Sequence, residues 1–198
     1  MNVNLSDLLD FDPAAYGEAC GVLLAGERLC ELSPGVSRRE SHSALAALDE
    51  ATLFPSRRIV DRNMASACLA GLWLLHDFLD QSHTISQGIQ TATGSYWHGI
   101  IHRRGPDFPN AKYWFQRAGE HPVFEPLCRT AQRLAGQFPA DAAAACLQRQ
   151  TSWDPFAFVD LCESVLHGLS ASEMLCRQVA RAEWELLFDF CYRKAVGQ

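Results

Sequence analysis

His76, Asp80 and His83 are spaced by four and then three residues, which on one continuous helix places two imidazoles and a carboxylate on a single face. Such a set suits metal ligation or proton transfer, because free imidazole titrates at about pH 6.5. A second pair, His98 and His102, has the i, i+4 spacing at which two rings on a helix hold one ion. Gly99 follows His98 where a zinc protease of the HExxH type carries Glu, so that pattern is absent. If the two segments face each other, His76, Asp80, His98 and His102 supply three imidazoles and a carboxylate. That donor set suits Zn2+, Fe2+ or Mn2+ better than Mg2+ or Ca2+, which prefer oxygen. The same four residues are the candidates for acid and base catalysis, with Asp80 ligating or orienting the rings.

Cationic and amide side chains follow directly. Arg103, Arg104 and Lys112, with Asn110, His83 and His121 among them, are expected to hold the negative group of a small ligand, helped by amide donors at the next helix N-terminus. Arg104 falls on the Trp97 and Ile100 side of its helix, where a guanidinium needs a partner. Asp107, Asp77 or Asp80 would make it a packing strut instead. A structural account exists for the histidines too, as His–Asp pairs knitting helices together. Trp97, Tyr113, Trp114 and Phe115 read as core before they read as a ligand platform, and His42 and His167 as packing. Ser82 beside His83 is mere adjacency. No GxSxG elbow, P-loop or GxGxxG is present, and His76-Asp77 is a lone HD.

The elements that must carry these residues are helical. Pro and Gly fall between segments of helical period, and no strand-length alternation appears, which gives an all-α fold. The expectation is a compact single-domain bundle over 1–198 with seven to nine helices and a central site block at about 73–122. Asp12-Pro13 opens a helix to about Leu29, and a short one spans Arg39 to Glu50. A buried helix runs from about Asp61 to Asp80, followed by a polar connector from Ser82 to Thr93. Further helices are expected at about 95–104, 109–118, 124–137, 140–150, 154–166 and 170–195.

Composition removes several classes. A formal charge of −6 argues against nucleic acid and anionic membranes as partners, which call for a basic stripe. The apolar run from Leu69 to Leu75 is far too short to span a bilayer, which takes about 20 residues. The opening MNVNLSDLLDFD has neither the cationic start nor the apolar core of a secretory signal. Eight cysteines occur singly with no CxxC pair, the pattern of buried thiols in a reducing compartment, so the expected location is cytoplasmic.

The block YWHGIIHRR, continuing through PDFPNAKYWF to GEHPVF, resembles one in a group of uncharacterised bacterial and fungal proteins. The resemblance spans about a quarter of the chain and implies no activity, substrate or catalytic residue. In ligand type alone the histidines resemble those of helical-bundle metalloproteins, including DNA-damage-inducible four-helix proteins with a histidine triad. The resulting expectation is a protein that binds a small anionic or polyhydroxylated molecule, phosphorylated or sugar-like, in a polar pocket. Metal-dependent hydrolysis or isomerisation there is the first reaction class. The alternative is a noncatalytic helical scaffold or interaction module whose polar residues are struts.

Overall fold

The computed structural model describes residues 9–26, 29–139 and 141–198. The N-terminal stretch read for a secretory signal lies, through residue 8, outside the described residues, as does Ala140 at the expected start of one helix. Among the described residues the protein is all-helical and has no strand, with eleven α-helices and one 3-10 turn, slightly more than the seven to nine expected. The excess comes from breaks inside two expected helices and a division of a third. The opening segment forms a 3-10 turn at Pro13–Tyr16 and then α1 at Glu18–Leu24, separated by Gly17 at a φ of 85°. The next divides into α2 (Arg39–Ala46) and α3 (Glu50–Leu53), the latter opened by a capping box from Asp49 to Thr52.

The break that matters for the site divides the expected 61–80 helix. α4 (Arg62–Leu75) is capped by Asp61, whose carboxylate accepts from the Met64 amide, and it ends at His76. Asp77 takes a φ of 63°, a left-handed conformation, and α5 (Leu79–Gln87) starts in a new direction. The expected connector from Ser82 is therefore helical as far as Gln87. α6 (Ala92–Arg104) opens on a Thr91 cap, and α7 (Phe108–Ala118) on Asp107 with Pro109 in its first turn.

The remaining helices follow the sequence expectation closely. They are α8 (Phe124–Ala135), α9 (Ala142–Arg149), α10 (Pro155–Leu166) and α11 (Glu173–Val196). α4 is buried nearly all round and packs against α5, α6 and α11, as its lack of a polar face requires. Close approach is secured by glycine. A Cβ on Gly71 would lie 2.9 Å from the Trp97 ring, and one on Gly99 2.9 Å from the Phe115 ring, so the indole seats on α4 and α7 closes onto α6. All eight cysteines are free, and only Cys146 is exposed. No helix of the described residues is long and apolar enough to cross a membrane.

Candidate metal centre

Three imidazoles converge where α5 meets α6. His98 and His102 project from successive turns of α6 with nearly parallel rings, centroids 5.9 Å apart. His83 of α5 sets its ring across both, at 4.8 Å and 80° from His98 and 5.3 Å and 90° from His102. One nitrogen from each of the three rings lies within 4.8 Å of the others. Among the described residues no thiolate or carboxylate joins this set of ligand atoms.

His98 is the buried member, 1% exposed, and its Nε2 has no hydrogen-bond partner. The Gly94 backbone, one turn earlier on the helix, weakly favours the protonated ring. A buried imidazole nitrogen without a partner normally costs stability, and a cation is one of the few groups that compensates it. Burial, then the neighbouring His83 and His102, push the His98 pKa down to about 4. Burial and His83 lower that of His102, against the Asp107 charge, so both rings are neutral donors at neutral pH.

Each ring is held from behind. The Asp107 carboxylate that caps α7 lies 3.6 Å from His102 Nδ1, and the Asn110 amide nitrogen sits 3.3 Å from both nitrogens of that ring. A carboxylate on one imidazole nitrogen turns the other toward an ion, as in most protein metal sites. Gln87, one turn beyond His83, brings its amide 3.2 Å from His83 Nδ1. On the far side the Trp114 indole stacks on His98 at 4.2 Å and 16°.

The structure distributes the other expected site residues elsewhere. His76 does not share a helix with His83, because the chain turns at Asp77, whereas Asp80 and His83 both lie on α5, three residues apart. His76 is buried with Nε2 3.0 Å from the Leu23 carbonyl, and Asp80 is exposed on the first turn of α5. Arg103 is buried between the Phe158 and Phe115 rings and paired with Glu183 of α11. Arg104, expected among the ligand-binding residues, makes the internal contacts of the alternative role. It pairs with Asp77, donates to the Leu74 carbonyl at 2.8 Å, and reaches the carbonyls of Ser33 and Pro34.

Lys112 pairs with Asp160 of α10. His121 stands apart, with Nε2 3.1 Å from the Thr93 hydroxyl and Nδ1 accepting from the Val123 amide. Of the expected substrate-binding residues, His83 and Asn110 thus lie at the three-ring cluster. Trp114 and Asp107, which sequence reading did not place in a site, stand beside it. Two clefts of about 520 Å3 lie elsewhere, one against His121, Phe124 and Trp153 and one against Phe138 and Leu169. None of the three clustered histidines lines either.

The buried His121 carries a pH consequence. Burial pushes its pKa down to about 4, whereas the unfolded chain protonates at about 6.5. The unfolded state therefore takes up the proton first. Stability is expected to be greatest above about pH 6.5, to fall as the pH drops toward 4, and to level below it, with a ceiling of roughly 3 kcal/mol from this group. Urea midpoints of chelator-treated protein measured across that range check the slope, which His121→Phe is expected to flatten. An unchanged slope in the variant would assign the acid sensitivity elsewhere.

Comparison of the chain with models of protein families, with curated proteins and with solved structures finds no match.

Proposed function

We propose that this protein binds one divalent transition-metal ion, zinc in the first instance, through His83, His98 and His102, and offers its remaining coordination position to a small molecule. The observation that carries this reading is the set of three imidazole nitrogens within 4.8 Å of one another, one of them buried and unpartnered. Three neutral imidazoles suit zinc and iron. Structural zinc sites are closed by four protein ligands, whereas three leave room for water or substrate, the arrangement of catalytic centres.

Bound there, the ion would supply a Lewis acid and a water acidified enough to act as a nucleophile near neutrality, so hydrolysis of the bound molecule is the reaction class this geometry favours. The chain's own contribution is to fix the rings. Asp107 orients His102, Trp114 backs His98, and Gln87 steadies His83. His76 and Asp80 take no part in this reading.

A second reading, a noncatalytic helical scaffold, draws on a specific observation. Arg103, Arg104 and Lys112 are all engaged with carboxylates of the chain itself. One experiment separates the two. Untagged protein stripped with a chelator and titrated with Zn2+ or Co2+ is expected to take up one ion per chain, read by elemental analysis and, for Co2+, by the visible bands of a four-coordinate site. Failure to take up either ion would leave the scaffold standing.

A further inference from the structure

We propose that Arg117 is the anion-binding residue of the three-histidine centre, so that the metal's ligand is a small molecule carrying a carboxylate or phosphate at its end away from the metal. This inference rests on the metal reading above and adds the class of molecule bound.

Four cations follow His102 along α6 and α7. Arg103, Arg104 and Lys112 are paired with Glu183, Asp77 and Asp160. Arg117, exposed in the last turn of α7, has no carboxylate within ion-pair reach among the described residues. Its guanidinium lies over rings instead, 5.5 Å from the centroid of Trp114 and 5.8 Å from that of Tyr113. The same indole stacks on His98. The Trp114 indole thus neighbours both a candidate metal ligand, His98, and an uncommitted positive charge, Arg117.

Attraction to a ring leaves the N–H donors of a guanidinium unspent. Its N–H donors point outward in the guanidinium plane, and among the described residues the one side-chain contact they make is to the Tyr113 hydroxyl, at 3.5 Å. A planar cation with its N–H edge open matches the two oxygens of a carboxylate or phosphate. Tyr113 is half exposed beside it, so the shelf is reached from solvent. A molecule that touches both the metal and Arg117 must pass the edge of the indole, about the reach of a benzene ring with a group at each end, and a planar body would lie along Tyr113 and Trp114.

The test uses three probes on the Co2+-loaded full chain. Benzohydroxamate chelates the metal and carries no second group, while its 4-carboxy and 4-phosphono derivatives add the anion at the far end. Affinities are read from the shift of the cobalt bands. In the wild type at least one anionic probe is expected to bind about tenfold or more tighter than benzohydroxamate, a gain typical of a charge-assisted pair. In Arg117→Gln that gain is expected to vanish while benzohydroxamate itself binds unchanged, and Arg117→Lys is expected to restore part of it. The tail with the larger Arg117-dependent gain distinguishes carboxylate from phosphate recognition. Equal gains in wild type and Arg117→Gln would overturn the proposal and leave the metal reading intact. Absence of cobalt bands or of benzohydroxamate binding in the wild type would overturn both.

Discussion

His98→Phe is expected to lower affinity for Zn2+ or Co2+ by on the order of a hundredfold or more while leaving the metal-free protein as stable as the wild type or more so. Phenylalanine keeps a ring stacked on Trp114 and fills nearly the same volume, so the packing of α6 on α7 survives. It also removes the buried Nε2 that has no partner, a burden of about 1–3 kcal/mol for an unsatisfied group. Ligand and strut therefore part company in this one substitution. If the imidazole were there for hydrogen bonding, its loss would cost stability and leave ion binding untouched. A graded companion is Asp107→Asn, which retains the α7 cap but withdraws the charge facing His102 and is expected to cost about tenfold in metal affinity. Competition against a chromogenic chelator measures the affinities, and urea unfolding of the stripped proteins measures the stabilities. Metal affinity unchanged in His98→Phe would sink the centre.

Glu183→Ala is expected to be the most damaging single change to the fold, costing about 3–5 kcal/mol. Glu183 is fully buried and Arg103 is 2% exposed, so solvent cannot take over when one partner goes. Burial works against the guanidinium's charge, but Glu183 outweighs it and holds the Arg103 pKa above its ordinary value, and with Glu183 gone the strong intrinsic basicity of a guanidinium keeps the arginine charged. The flanking rings of Phe115 and Phe158 soften that exposure to a dry interior without replacing the carboxylate. Total stability of a domain is about 5–15 kcal/mol, so the loss amounts to a large drop in the urea midpoint. Glu183→Ala combined with Arg103→Met is expected to recover most of it, because an apolar pair of similar volume has no charge to strand. A single-variant loss below about 1 kcal/mol would mean that water reaches the pair.

The helices were mostly legible because their ends are written locally. Asp61, Asp107, Asp141 and Asp154 each accept from an amide in the first turn of the helix they precede, and the expected boundaries fall within a few residues of them. The His98 and His102 pair was legible for the same reason, since i, i+4 spacing is a property of one helix. The end of α4 was not. LLHDFLD contains no glycine or proline, and local propensity carries the helix through it. What ends it is tertiary: Arg104 takes the Leu74 carbonyl and the Asp77 carboxylate, the Arg38 amide takes the His76 carbonyl, and the Ser37 hydroxyl takes that of Asp77. With those partners supplied from distant segments, His76 turns toward Leu23 and His83 swings to α6. Glu183 was equally hidden, eighty positions from Arg103 with no spacing to announce it.

All three clustered histidines fall between residues 83 and 102, on two neighbouring helices joined by a short link. Bringing them together closes a small loop, so little chain entropy is spent in assembling the trio. An ion seated there would tether a single helical hairpin at the flank of the molecule. The long α11 and its hold on α4 would stand whether the hairpin were tethered or not, which separates the proposed metal centre from the integrity of the frame.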